Sequence, residues 1–315
     1  MRKSVVVRFL ALALLLAAML LPLSQAAAAY SGYYAYANPA FYNSWYKVDG
    51  VVSNGVVRRP LYWGAGPVSD KLDNSPSDPG RIVQYFDKGR MEITDVNGDK
   101  SGPYYVSSSL LAKELVSGQR EVQERLKIAR SSALIPIVSD MDDAKAVTYA
   151  SFKSLINSRA ANISVGVTGK QSQPIATLDY QGKVGSDGGK FNAGNSALDN
   201  LYYDNTTGHN LPRAFWDFLN ASGPTYDCTA ARCVVGGPSG RKLASPWYLY
   251  SGLPISEPYW IKAKIGNRPN MDVLVQVFER RVLYYMPDGA AGQKVQFANV
   301  GRAHYVWIYG MEGLG

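Results

Sequence analysis

Histidine and cysteine are scarce in this 315-residue chain, which has two of each. A Ser-His-Asp triad needs a histidine beside an activated serine and an acid, and neither His209 nor His304 lies in a Gly-x-Ser-x-Gly elbow. A structural zinc site needs about four Cys or His ligands, and the sequence offers no such group. Phosphate loops and dinucleotide fingerprints are also missing. We therefore predict no recognisable catalytic residues, no metal and no cofactor.

Clusters of positive charge are missing as well. The net charge is +8, and three of these charges come from Arg2, Lys3 and Arg8, so the rest of the chain carries +5. Nucleic-acid-binding proteins usually concentrate their basic residues in one patch, whereas here Lys and Arg are spread along the chain. This pattern argues against a nucleic-acid partner. A mild positive charge favours contact with anionic polymers such as wall polysaccharide.

Only one long apolar run is present, at residues 9–23, and small residues follow it at 26–29. Basic residues before the run and an Ala-Ala-Ala site after it form the three-part layout of a secretory signal. The alternative is a retained anchor, but about fifteen residues is short for a span of roughly twenty. We predict a cleaved signal peptide at 1–29, no membrane span after cleavage, and a secreted or cell-surface protein.

The two cysteines, Cys228 and Cys233, are separated by four residues. In an exported protein a pair this close is typical of a disulfide. We predict that this bond closes a short, locally stiffened loop.

Three pairs of similar segments occur in the same order in the two halves of the chain, which indicates a duplicated unit. The pairs are 40–45 with 214–219, 66–70 with 252–257, and 83–93 with 275–289. In each copy the first segment has helical spacing and the last alternates like a β-hairpin. A shorter β-like region with Gly, Asn and Ser clusters separates the two copies.

We therefore predict an α+β fold with two related helix-plus-β-hairpin units that flank a small β-rich insert. The boundaries are 30–120 for the first unit, 121–207 for the insert, and 208–315 for the second unit, which carries the disulfide. Phe86 and Phe278 occupy the same place in the two hairpins. Each is predicted to pack under the helix of its own unit.

The residues that carry the repeat also resemble a known family. Gly252-Leu253-Pro254-Ile255-Ser256-Glu257, Gln276-Val277-Phe278-Glu279 and Tyr284-Tyr285-Met286-Pro287-Asp288-Gly289 are similar to LGFP-type repeats of secreted bacterial proteins. The first copy matches more loosely, and Arg281 stands where the family usually has Gly. The resemblance implies a compact α+β repeat and a role in contact with the cell wall.

We expect a secreted non-enzymatic module that binds cell-wall or extracellular polysaccharide. Aromatic rings suit such a role because they present large apolar faces, and the candidates are Tyr42, Trp63, Trp247, Tyr250 and Tyr285. The alternative is an extracellular, glycosidase-like hydrolase with an unrecognised site, since two carboxylates can hydrolyse a glycosidic bond. Glu257 and Glu279 are the best candidates for that pair.

Overall fold

Mostly antiparallel sheets and a few short helices make up the described part of the chain in the computed structural model, which confirms the predicted α+β class. The structure describes residues 33–70, 72–73, 81–123, 126–156, 173–174, 176–192, 194–228, 233–236 and 241–311. Tyr34–Gly315 fall into one compact unit, and the elements described here belong to it. The predicted signal peptide, 1–29, lies outside the described residues.

The described residues contain five α-helices. They are α1 (Pro39–Trp45), α2 (Val51–Ser53), α3 (Leu111–Ser117), α4 (Arg213–Leu219) and α5 (Val300–Tyr309). A π-helical turn, Tyr46–Gly50, joins α1 to α2, and three 3₁₀ turns span Tyr149–Phe152, Gly188–Phe191 and Ser196–Leu198. None of the helices among these residues is long and apolar enough to cross a membrane.

Local sequence signals explain where several helices begin and end. The Asn38 side chain caps α1 by accepting from the Ala40 N–H at 2.9 Å, and Pro39 fills the first turn, where its missing N–H costs nothing. Gly118 ends α3 in the left-handed conformation, at φ 75°, which glycine adopts without a steric cost. A proline at the start of a helix and a glycine just past its end are signals that can be read from the sequence alone.

The first hairpin lies in a four-stranded antiparallel sheet of order β1-β2-β3-β4. The strands are β1 (Leu72–Asp73), β2 (Ile82–Phe86), β3 (Gly89–Ile93) and β4 (Ser107–Ser108). The register pairs Phe86 with Gly89, so the turn is formed by Asp87 and Lys88. The alternation of 83–87 and 90–93 alone would place the turn one residue later, at Lys88-Gly89.

The second hairpin lies in a six-stranded sheet of order β16-β15-β14-β13-β7-β8. Its strands are β7 (Thr177–Leu178), β8 (Val184–Gly185), β13 (Tyr259–Ile265), β14 (Arg268–Val277), β15 (Val282–Tyr285) and β16 (Val295–Phe297). The predicted strands at 275–278 and 282–285 are present, but β14 is longer than expected. Strand β13 occupies a stretch in which the sequence predicts no regular structure.

Three two-stranded ribbons complete the fold. They pair β5 (Gln119–Gln123) with β6 (Leu126–Ala129), β9 (Asn200–Asp204) with β10 (His209–Pro212), and β11 (Thr225–Cys228) with β12 (Cys233–Gly236). Local patterns mislead in two places. The aromatic run 247–250 favours a strand but forms a turn, in which the Leu249 N–H donates to the Pro246 carbonyl at 2.9 Å. The apolar spacing after Asp142 favours a helix, but the segment is a loop followed by one 3₁₀ turn.

The core consists of two hydrophobic clusters, and each contains residues from both 30–120 and 208–315. Phe86 and Phe278 are completely buried in the same cluster, together with Phe41 and Phe215 from α1 and α4. Of the aromatic residues of α1, Phe41 and Trp45 therefore belong to the core, whereas Tyr42 is 39% exposed. Each Phe lies in the cluster that contains its own predicted helix partner, and that cluster is common to both halves of the chain.

Candidate functional site

The five aromatic residues singled out from the sequence lie in different environments. Trp63 and Tyr285 are 1% and 3% exposed, so core packing covers their rings. Tyr250 is half-buried against Tyr62 and Trp63, and burial raises the pKa of its hydroxyl. Tyr42 and Trp247 instead belong to aromatic clusters that reach the surface. A role for these residues in stacking on a ligand stays a prediction. The clusters that contain Tyr42 and Trp247 are the better candidates, because they have exposed ring faces.

The Trp247 cluster comprises Tyr202, Trp216, Trp247 and Tyr248. Tyr202 stacks on Trp216 with ring centroids 4.0 Å apart and planes inclined by 14°. Trp247 lies 5.5 Å from Trp216 and 5.8 Å from Tyr202. Tyr248, which is 39% exposed, meets Trp247 edge to face. Strand β9, helix α4 and the 247–250 turn thus bring together four neighbouring aromatic rings that remain partly exposed.

Helical periodicity explains why α4 contributes a ring to this surface. Phe215 and Leu219, four residues apart, face the core, because such positions share one side of a helix. Trp216 follows Phe215 and lies at the edge of that buried side, where it stays partly exposed. Tyr202, on the paired ribbon beside α4, then covers one of its faces.

The Tyr42 cluster comprises Tyr42, Tyr46 and Tyr226. Tyr46 stacks on Tyr42 at 5.2 Å and on Tyr226 at 4.4 Å, with planes inclined by 20° and 9°. The side-chain amide of Asn54 donates to the hydroxyls of Tyr46 and Tyr226, at 3.3 and 3.1 Å. These bonds fix the edge of the stack, while Tyr42 remains 39% exposed.

Tyr42 and Trp216 follow the buried residues Phe41 and Phe215, which the sequence aligns with each other. The repeat therefore carries a signal for Trp216, which stands in the second copy where Tyr42 stands in the first. Tyr226 carries no such signal, because it joins the Tyr42 cluster through a ribbon distant in the chain.

The two candidate catalytic glutamates bind backbone amides. Buried Glu257 accepts the Asn210 N–H at 3.1 Å and lies 3.3 Å from Nδ1 of His209. Glu279 accepts the Leu253 N–H at 3.0 Å. Carboxylates held in this way stabilise turns. This geometry gives the hydrolase alternative no support.

A chain of buried polar groups connects helices α3 and α5 to strand β2. Arg90 donates to the Tyr85 hydroxyl at 3.2 Å, and that hydroxyl lies 2.8 Å from Nδ1 of His304. Nε2 of His304 lies 2.7 Å from a carboxylate oxygen of Glu114. The donors and acceptors match throughout if His304 is neutral and carries its proton on Nε2. The network thus fixes α5 against α3 and β2.

Burial lowers the pKa of His304 to about 4, although the hydrogen bond and charge of Glu114 act in the opposite direction. The unfolded chain binds this proton near pH 6.5. The contribution of His304 to stability is therefore complete above pH 6.5 and is lost as the pH falls towards 4.

Lowering the pH from 7 to 5 should consequently reduce the free energy of unfolding by about 2 kcal/mol through His304. Buried Asp49 acts oppositely, because burial raises its pKa to about 6 despite three backbone hydrogen bonds. The His304→Gln variant separates the two effects: it should be less stable at pH 7 and lose less stability on acidification. Urea unfolding at both pH values tests this, and an unchanged pH dependence would contradict it.

The predicted disulfide lies in the β11–β12 ribbon, where the register pairs Cys228 directly with Cys233. Their side chains lie outside the described residues, so the bond stays a prediction. Within the described part of the chain, no three His, Cys, Asp or Glu side chains are grouped as ligands for a metal ion.

Comparisons with known proteins identified no match to this chain. No family model matches the chain, and no curated protein or solved structure is similar to it. The resemblance to LGFP-type repeats therefore stays a proposal, and the case for a function depends on the two aromatic clusters.

Proposed function

We propose that this protein is a secreted, non-enzymatic module that binds cell-wall or extracellular polysaccharide. The observation that carries the proposal is the Trp247 cluster, in which four neighbouring aromatic side chains remain partly exposed. Exposed aromatic groups of this kind mark binding surfaces more often than isolated apolar residues do. The Tyr42 cluster provides a second surface of the same kind.

Sugar rings have apolar C–H faces and polar hydroxyl rims, so a flat aromatic surface beside hydroxyl groups matches them. The stacked rings cost little entropy on binding, because aromatic side chains have few rotatable bonds and these are already held by their neighbours. The positive net charge steers anionic polymers towards the protein.

We also propose that the two hairpin units arose by duplication, as the LGFP resemblance implies. Matching contacts support this. Gln84 donates to the Ser69 carbonyl, and Gln276 donates to the Ser256 carbonyl, both at 2.9 Å. In each turn the serine hydroxyl donates to the carbonyl of the following acidic residue and accepts a strand N–H.

Trp247→Ala should weaken polysaccharide binding at least about fivefold, which corresponds to about 1 kcal/mol. Trp247 contacts the other three rings of the cluster, so its removal should disrupt the aromatic surface on which a sugar would stack. Affinity electrophoresis through gels containing purified wall polysaccharide, with other polysaccharides in parallel, measures the change.

Tyr104→Ala is the matched control, since Tyr104 is 58% exposed and makes no ring contact with the described aromatic residues. It should migrate like the wild type. Thermal melts of both variants would show that folding is intact. If the wild-type protein is not retarded by any of the polysaccharides, the proposed function is wrong.

A further inference from the structure

A groove of about 310 Å³ is lined by helix α5 and the segment 135–141, and its lining shares no residue with either aromatic cluster. One side of α5 forms a wall, because Arg302, Ala303 and Val306 are spaced three or four residues apart and share one helix face. Strand β15 contributes Tyr284. The volume is at the lower end of the range of about 300–1,000 Å³ that is typical of small-molecule sites.

The apolar part of this lining is accessible from solvent. Pro136, Val138 and Val306 are partly exposed, and Met141 and Met311 are each 67% exposed. Apolar side chains that are exposed together mark binding surfaces, whereas single ones need no explanation. Methionine side chains are also flexible, so they adapt to the shape of a bound molecule. The groove therefore offers an apolar wall that a ligand can reach.

A buried tyrosine belongs to the same lining. Tyr149, the first residue of its 3₁₀ turn, is 0% exposed. Its hydroxyl forms no hydrogen bond within the described residues and, unlike that of Tyr259, it is not sealed from solvent. Burial is the single cause that raises the pKa of Tyr149, with no contribution from a charged or hydrogen-bonded neighbour. Since buried polar groups normally have a hydrogen-bond partner, this hydroxyl is available to a ligand in the groove.

The groove has no uncompensated charge to offer. Arg302 is the one charged residue in this lining, and its Nε donates to the carboxylate of Asp87. The other polar side chains that line the groove, those of Ser139, Tyr284 and Asn299, are neutral. A charged ligand would lose its hydration without gaining a partner of opposite charge, which is costly. The lining therefore favours an uncharged molecule.

We propose that this groove binds a small uncharged molecule that is mainly apolar and carries one oxygen able to accept a hydrogen bond. The apolar body lies against Pro136, Val138 and Val306. The oxygen accepts the hydroxyl proton of Tyr149, which a tyrosine can donate once and which the protein itself does not use. This ligand differs from a polysaccharide, whose many hydroxyl groups would find few partners in the groove.

Isothermal titration of the purified protein with camphor, a rigid and uncharged bicyclic ketone, tests the proposal. We expect one bound camphor per chain and at least about tenfold weaker binding of camphor-10-sulfonate, which adds a charge to the same ring system. Val306→Trp should fill the groove and abolish binding. Ile308→Trp is its matched control, because Ile308 is a partly exposed residue of α5 outside the lining, and it should bind camphor like the wild type.

Tyr149→Phe tests the hydrogen bond. It should weaken camphor binding about three- to tenfold, which is the contribution of one neutral hydrogen bond. It should not lower the thermal midpoint of unfolding, because the hydroxyl has no partner within the described residues. Tyr104→Phe alters a tyrosine that is 58% exposed and outside the lining, and it should bind camphor like the wild type.

The proposal is overturned if camphor does not bind, if the sulfonate binds equally well, or if Tyr149→Phe or Val306→Trp retains wild-type affinity. A clear loss of stability in Tyr149→Phe would also overturn it, because the hydroxyl would then have a partner inside the protein. The Trp247→Ala variant should bind camphor normally, which separates a failure of this proposal from a failure of polysaccharide binding.

Discussion

Truncation of Phe86 or Phe278 to alanine is expected to reduce the free energy of unfolding by about 3–5 kcal/mol in each case. Both side chains are completely buried, so the lost transfer energy and the cavity left behind add to each other. Because both lie in one hydrophobic cluster, the two losses should not be independent. We expect the double variant to depart from additivity by at least about 1 kcal/mol.

Urea unfolding of the two single variants and the double variant measures this coupling. If the double alanine variant does not fold, the same cycle with Phe→Leu uses smaller cavities and keeps all four proteins measurable. Additive losses would mean that the two halves have independent cores. Losses below about 1 kcal/mol in both single variants would place the rings at the surface.

Much of each unit could be predicted from local patterns. The residues flanking α1 and α3, Pro39 and Gly118, act within one turn of the chain, and the alternation in β2 and β3 needs only neighbouring residues. Likewise, the alignment of Phe86 with Phe278 correctly indicated two buried rings. These features depend on interactions between residues that are close in sequence, which is why a single sequence reveals them.

The errors occur where contacts with distant residues decide the local structure. Strand β13 lies beside β7 in the six-stranded sheet. The Trp260 N–H donates to the Ala176 carbonyl there at 2.9 Å. The apolar spacing from Asp142 resembles a helix, yet the Val147 carbonyl accepts the Ile137 N–H at 3.1 Å, which ties this segment to a residue ten positions away. The tertiary context thus overrides propensity.

Distant contacts also explain Arg281, which occupies the place in the second hairpin that Gly89 occupies in the first. Its guanidinium lies 4.5 Å from the ring centroid of Trp63, and burial lowers its pKa to about 9. A Cβ on Gly89 would lie only 1.6 Å from Nη1 of Arg281. The glycine of one hairpin therefore makes room for the arginine of the other. The sequence contains both residues but gives no sign that they meet.

Helices α3 and α5 each contact the hairpin in the opposite half of the chain, which local sequence patterns do not reveal. The Lys113 N–H, in α3, donates to the Glu279 carbonyl of the second hairpin at 3.0 Å. Conversely, the Gly301 N–H, in α5, donates to the Asp87 carbonyl of the first hairpin at 3.0 Å. Each helix thus binds the turn of the other hairpin. Long-range contacts of this kind link the two halves of the chain, which also share both hydrophobic clusters.

Gly301→Ala should therefore be among the most damaging single substitutions in the protein, at about 3 kcal/mol or more. A Cβ there would lie 1.9 Å from the Phe86 carbonyl oxygen and 2.5 Å from that of Gly89. Both are backbone atoms within a paired hairpin, so neither can move aside as a side-chain end could. The helix would have to shift away from the hairpin and lose its bond to Asp87.

Gly223→Ala is the matched control for this prediction. The nearest atom to its Cβ would be a side-chain nitrogen of Arg59 at 3.6 Å, an ordinary van der Waals distance. Urea unfolding should give a change within about 0.5 kcal/mol for this variant and the large loss for Gly301→Ala. If Gly301→Ala is instead as stable as the control, α5 does not approach the first hairpin this closely. The contact of each helix with the hairpin in the opposite half of the chain would then be wrong.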